Sequence, residues 1–280
     1  MIVIPRHVCR ETKNALTYEW MIKNERGSYA ATSISGALTR RQHGLLVAAP
    51  APTETPRVLF AKLDEEIEVE SHVYKLGTNE YLTNVLNPDG FVYLQQVTLD
   101  GALAEFVYEA AHFQLTKTVW MQPDQATTYI HYRLAEHSAR AQLTLVPLCD
   151  NRAFDCVTQG NENWRFRIER LPNGFNVHAQ DGAAAYRIFT LPALDFTPLD
   201  LWYWRFQLRA DGNAGTDLYV PGLLRAVLQP GASCTVIATG EPDAVPELDL
   251  PHAMQQARRR APYFAEAVSK PFTPKLFTQV

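Results

Sequence analysis

The run Val58-Leu59-Phe60-Ala61-Lys62-Leu63-Asp64-Glu65-Glu66-Ile67-Glu68-Val69-Glu70 decides the reading of the fold. Glu66 to Glu70 alternates charge with apolar side chains, the period of a strand with one wet face. Val58 to Leu63 is apolar almost throughout. The acidic trio between them, Asp64-Glu65-Glu66, reads as a solvated turn, so the sequence predicts a hairpin here. Working outward, β-rich runs recur at Phe91–Leu99, Ala104–Tyr108, Phe113–Met121, Thr127–Leu134 and Ala141–Leu148. Trp164–Arg170 meets Phe175–Ala179 across Pro172-Asn173-Gly174, a strong turn signal. Asp181-Gly182 turns into Tyr186–Leu191, and Leu201–Arg209 runs into a glycine- and aspartate-rich loop, Asp211–Asp217. Leu223–Leu228 and Cys234–Ala238, separated by Pro230-Gly231, read as a final hairpin. Short strands at intervals of about 8–15 residues predict an all-β sandwich or barrel, not alternating β-α units. The one clear helix spans Pro251–Arg260, with Pro262 expected to end it.

The proline-rich stretch Ala49–Pro56 reads as an exposed loop, and Ser269–Val280 as an interdomain linker. The predicted organisation is one large β domain over residues 1–250, then a helix and linker over 251–280.

Composition bounds the function. The chain has 280 residues, 46% of them hydrophobic and 20% charged, with mean hydropathy −0.19. That excludes bulk disorder and allows one large all-β domain. Net charge is −4, and Arg258-Arg259-Arg260 is the one dense basic run, so no nucleic-acid partner is expected. No apolar run reaches the roughly 18 residues of a membrane span, and no signal peptide is evident, so no membrane partner is expected. Cys9, Cys149, Cys156 and Cys234 show no C-x-x-C spacing and read as reduced thiols of a cytoplasmic protein.

Common catalytic signatures are missing: G-x-G-x-x-G, G-x-x-x-x-G-K-[ST], H-E-x-x-H and G-x-S-x-G do not occur. The histidines are scattered, and no metal or organic cofactor is expected. Asp64-Glu65-Glu66 groups three carboxylates, but in a predicted turn.

The unusual segment is Glu19-Trp20-Met21-Ile22-Lys23-Asn24-Glu25-Arg26-Gly27-Ser28-Tyr29-Ala30, continuing to Thr39-Arg40-Arg41-Gln42-His43-Gly44-Leu45-Leu46-Val47-Ala48. Guanidinium forks and amides pair with vicinal sugar hydroxyls, aromatic rings suit the apolar face of a pyranose, and Gly44 permits close backbone approach. The competing reading is a buried polar corner in which Arg40, Arg41 and His43 brace loops. Trp20 reads as core. Trp202, Tyr203 and Trp204 lie in a row, so neighbours point to opposite faces of a strand. Either the two tryptophans are core and Tyr203 outward, or the reverse, an outward aromatic serving glucan or a further domain, with core packing the better expectation.

This segment resembles the N-terminal domain family of bacterial and archaeal glycogen debranching enzymes, amylo-α-1,6-glucosidases. The pattern E-W-L-x-x-N-G-x-G-G-Y-A-x-G-T-x-x-G-x-x-T-R-R-Y-H-G-L-L-V-A-A is matched at Glu19, Trp20, Asn24, Gly27, Tyr29, Ala30, Gly36 and throughout Thr39–Ala48 except Gln42. Glu25 and Ser28 replace glycines, and Gln42 replaces a tyrosine. Leu143–Leu148 with Asn151-Arg152-Ala153-Phe154 resembles L-x-x-x-P-L-x-x-x-R-D-F-H, with Asp155 at the histidine position. Asp217–Gly222 and Leu228–Gly231 resemble E-D-L-Y-x-P-G and L-x-P-G.

The resemblance implies a β-supersandwich of two large, mostly antiparallel sheets, joined through the linker to an (α/α)6 domain that carries the catalytic carboxylates. It implies a non-catalytic chain that supports hydrolysis of α-1,6-linked glucose and touches α-glucan such as glycogen or maltooligosaccharide. Asn24, Tyr29, Arg40, Arg41, His43, Gly44, Arg152 and Asp155 are the implied substrate-binding or domain-interface residues. Arg152 and Asp155 are expected to pair or cap a loop, or to face the cleft. Two other readings stay open: a free-standing carbohydrate-binding module and a purely structural sandwich.

Overall fold

A computed structural model describes residues 1–49, 55–241, 243 and 245–260. Most of the proline-rich loop, Pro262 and the predicted linker lie outside the described residues. In chain order the strands are Ile2–Pro5 (β1), Glu19–Lys23 (β2), Tyr29–Ser33 (β3), Gly44–Ala48 (β4), Arg57–Val69 (β5), His72–Lys75 (β6), Thr78–Tyr81 (β7), Val85–Asp89 (β8), Leu94–Leu99 (β9), Leu103–Ala110 (β10), Phe113–Met121 (β11), Thr127–Leu134 (β12), Ala141–Ala153 (β13), Arg167–Leu171 (β14), Gly174–His178 (β15), Tyr186–Leu191 (β16), Asp195–Leu208 (β17), Ala214–Leu228 (β18) and Ser233–Thr239 (β19). Helices are Arg6–Cys9 (α1), Thr12–Thr17 (α2) and Leu250–Arg260 (α3).

The strands form two antiparallel sheets, so the expected all-β sandwich class holds. The first has the order β1-β9-β10-β11-β12-β19-β16-β15-β14, and the second β2-β3-β4-β5-β13-β18-β17-β7-β8, with β6 paired to β5. Alternation along each strand sends neighbours to opposite faces. Leu46 and Tyr219 enter the core between the sheets, while Val47, Leu218 and Val220 build a second apolar cluster on the far face of the second sheet. Trp20 is in the main core, as expected. Helix α3 lays Ala253 and Ala257 on the outer face of the first sheet, against Trp120, Tyr129 and Ile237. Among the described residues no helix is long and apolar enough to cross a membrane.

Two predicted turns are corrected. Asp64-Glu65-Glu66 is no turn: β5 runs straight through it, with Asp64 opposite Val146, Glu65 opposite Leu145 and Glu66 opposite Thr144. The chain reverses instead at Glu70-Ser71, both left-handed (φ 50° and 67°), and β6 returns along β5. Such two-residue turns usually advertise themselves with asparagine or glycine, and this one has neither. The Pro230-Gly231 connection is no hairpin either. It carries the chain from β18 in the second sheet to β19, which pairs with β12 and β16 in the first. The run from Phe91 also begins with a 3-10 turn, Gly90–Tyr93, before β9.

The strand through Asp64 and Glu65 is possible because cations meet both acids. Glu65 points between the sheets and accepts from Lys117 Nζ of β11, and from the Tyr132 hydroxyl of β12 at 2.7 Å. Asp64 pairs with Lys62 and accepts from Asn79 Nδ2 at 2.6 Å. Lys62 also donates to the Thr78 carbonyl at 2.6 Å. Burial pushes the Lys62 ammonium down, against the pull of Asp64.

Candidate functional site: the arginine–histidine corner

The corner forms where the loop ahead of β4 folds back over β2. Thr39 N–H donates to His43 Nδ1 at 3.1 Å, which assigns the ring proton to Nε2. That Nε2 lies 3.4 Å from Glu19 Oε1, at the long end of hydrogen-bond reach. Arg40 Nε donates to both Glu19 oxygens, at 2.9 and 3.1 Å, and the Thr39 hydroxyl adds a bond of 3.1 Å. Burial by itself raises the Glu19 carboxyl. The His43 ring N–H, the Arg40 charge and the Thr39 hydroxyl outweigh it, so Glu19 titrates below the ordinary carboxylate range. Gly44 then enters β4 where a Cβ would meet Val47 Cγ2 at 3.0 Å and Val58 Cγ1 at 3.1 Å.

A second layer lies beside it. Arg152, at the end of β13, donates from Nε to Asp150 Oδ2 at 2.8 Å. Its Nη1 donates to the carbonyls of Arg41 at 2.7 Å and Cys156 at 3.0 Å. Asp150 also accepts from the Thr158 hydroxyl at 2.7 Å. Burial raises the Asp150 carboxyl, and Arg152 offsets only part of the rise. Of the expectations for Arg152 and Asp155, the pair is not formed: the buried Asp150 is the partner because it shares the strand, Asp155 is exposed beyond its end, and Arg152 caps the loop through the Arg41 and Cys156 carbonyls.

Arg41 is the outermost member, with 41% of its side chain exposed. Its backbone N–H donates to Asp211 Oδ2 at 2.6 Å, and its Nη1 reaches the Asp155 carbonyl at 3.4 Å. Among the described residues the buried Arg41 Nε and Arg152 Nη2 have no hydrogen-bond partner. Tyr29 is buried, and its hydroxyl donates to the Gln42 carbonyl at 2.9 Å, fixing the loop from below. Burial holds that phenol far above its ordinary range.

The structure thus gathers Tyr29, Arg40, Arg41, His43, Gly44, Arg152 and Asp155. It does not bring Asn24 to them. Asn24 sits at the opposite end of β2, where Nδ2 donates to the carbonyls of Gln122 at 3.1 Å and Gln125 at 2.7 Å, tying the two sheets together. The partners that sequence reading missed are Glu19, Asp150 and Asp211. Glu19, a charge opening an otherwise apolar strand, was the one local signal. Among the described residues no group of three or more His, Cys, Asp or Glu side chains is placed to hold a metal.

Residues 18–235 match the family described as glycogen debranching enzyme N terminal. The chain belongs to that family. The matched span takes in the whole corner. No curated protein sequence matches the chain. Among solved structures, a bacterial glucoamylase complexed with acarbose is 8% identical, with TM-score 0.38, over 89% of this chain and 32% of that one. A heparinase III is 9% identical, with TM-score 0.30, over 80% of this chain and 31% of that one. A polysaccharide lyase is 12% identical, with TM-score 0.30, over 86% of this chain and 34% of that one. The chain spans about a third of the length of these solved chains.

Proposed function

We propose that this debranching-family N-terminal domain is a non-catalytic support for a separate (α/α)6 glucosidase domain. That domain hydrolyses α-1,6-linked glucose at glycogen branch points, and this chain contacts α-glucan beside it. The observation that supports this most directly is the layered corner. Its inner residues, Glu19, His43, Asp150 and Arg152, are buried, Arg40 is half-buried, and the two arginines neutralise the two carboxylates. They fix the outer pair, Arg41 and Asp155, at the edge of the corner, where 41% of the Arg41 side chain is exposed. A rigidly held guanidinium suits a carboxylate or paired hydroxyls arriving from outside. The adjacent carboxylates Asp64 and Glu65 are buried and paired with lysines, so they do not serve as an acid and base across a glycosidic bond. Buried free thiols at Cys9, Cys149 and Cys234 support a cytoplasmic location.

The test uses an enzyme in which this chain precedes a glucosidase domain. Arg41→Ala is expected to lower kcat/KM on an α-1,6-branched glucan about tenfold and to uncouple the melting of the two domains. Unchanged kinetics and unchanged co-melting would leave only the purely structural reading.

A further inference from the structure

We propose that the exposed face of Trp204 is the stacking platform for an α-glucan chain. This rests on the glucan contact in the reading above and gives it a location. Trp202 and Trp204 lie on one side of β17, with ring centroids 6.0 Å apart and planes 33° apart. Trp202 is buried, whereas Trp204 is 41% exposed, so only the first meets the expectation of core packing.

The indole is held from behind. Phe166 stacks on Tyr219 at 4.4 Å, and Trp202 packs edge-on against both, at 5.5 and 5.2 Å. Trp202 Nε1 donates to the Trp164 carbonyl at 2.9 Å. Gly160 lies flat on Trp202: a Cβ there would fall 2.5 Å from the ring. Trp204 is the outermost ring of this pile.

The backbone is bent to present it. Asp200 and Arg205 flank the segment in left-handed conformations, φ 59° and 65°, unusual for residues with side chains, and the register against β18 shifts on both sides. Asp217 holds the second bend. Its Oδ1 accepts from Arg205 N–H at 2.8 Å and its Oδ2 from Gly160 N–H at 3.0 Å. Strain kept at a bend that turns an indole outward marks a ligand surface better than a packing accident.

The rim identifies the ligand chemistry. Arg165 and Arg205 are offset by Asp200 and Asp217, so a neutral ligand fits better than an anionic one. The exposed Arg205 guanidinium has no partner among the described residues, and Gln159 and Asn161 are exposed on the adjacent loop. A flat apolar face ringed by donors and acceptors is the complement of a pyranose. The same loop, through Thr158, hydrogen-bonds Asp150 of the corner at 2.7 Å.

The test titrates the full 280-residue chain with maltoheptaose, read by tryptophan fluorescence and calorimetry. Saturable binding is expected. Trp204→Ala should weaken it about tenfold, the loss of one stacking partner, and Trp204→Phe less. Thermal unfolding should be unchanged in both variants. Binding that survives Trp204→Ala but is lost in Arg41→Ala overturns this proposal and leaves the glucan contact of the corner standing. Binding that survives both overturns it as well. No binding by the unaltered chain overturns it together with the glucan contact, while support of the glucosidase domain is judged separately by co-melting.

Discussion

Two charge clusters in this molecule use the same side-chain types to opposite ends. Along β5, Asp64 pairs with Lys62 and Glu65 with Lys117, and Asn79, Thr78 and Tyr132 take up further bonds of the two pairs. At the corner, Arg40 pairs with Glu19 and Arg152 with Asp150, while the Arg41 side chain is 41% exposed and only 4.0 Å from Asp211. A closed, neutral set can only hold the fold. An open set, braced from inside and unfinished at its edge, has capacity for something else. Charge density alone does not separate the two; the exposure of the Arg41 side chain, against the burial of both lysines, does.

The largest effect should come from breaking the closed set. Lys117→Met leaves the Glu65 carboxylate buried without its cation, which costs about 3–5 kcal/mol. Urea denaturation measures it. Glu65→Leu combined with Lys117→Met should recover most of the loss, because no uncompensated charge remains. A double variant as unstable as the single would mean that the network does more than neutralise itself.

The inner half of the corner comes next. Glu19→Gln keeps the shape but removes a charge that receives bonds from Arg40 and Thr39 and faces the His43 proton. The expected loss is about 1.5–3 kcal/mol at neutral pH, the worth of a charge-assisted bond. The folded carboxyl titrates below the ordinary carboxylate range, so its contribution is fully present above that range. It fades as pH falls through the lower folded value. The stability gap between the natural chain and the variant should therefore be widest at neutral pH and close in acid. A gap that widens in acid would reverse the sign of the Glu19 shift.

The same contrast explains what was legible beforehand. β11, β12 and β16 match their sequence readings to the residue, because apolar alternation and turn residues bound them. β5 was misread because buried acids look like solvated ones until their lysines are known, and Lys117 is far away in sequence. Arg40, Arg41, His43 and Gly44 were legible as one contiguous motif. Their partners were not: Asp150 and Asp211 reach the corner only through strand pairing. Asn24 was grouped with them by sequence proximity. A strand advances about 3.3 Å per residue, so β2 carries it to the far end.

Gly44→Ala probes how tightly the corner is seated on the second sheet. Its Cβ would press on Val47 and Val58, both fully buried. Overpacking of this kind costs about 1–3 kcal/mol, read as a lowered unfolding midpoint.

The smallest effect on stability should come from the residue that matters most to the proposal. Arg41 holds its loop through its backbone N–H, which the Arg41→Ala change leaves bonded to Asp211. The guanidinium that is lost sits 4.0 Å from Asp211 on a side chain that is 41% exposed, so the change should cost less than about 1 kcal/mol. Chemical denaturation of the variant chain checks this. A large loss would move Arg41 into the closed class with Lys117, where its charge holds the fold. Near-neutral stability alongside weakened coupling to the glucosidase domain would keep it in the open class, where a side chain costs the fold little because its partner lies outside it.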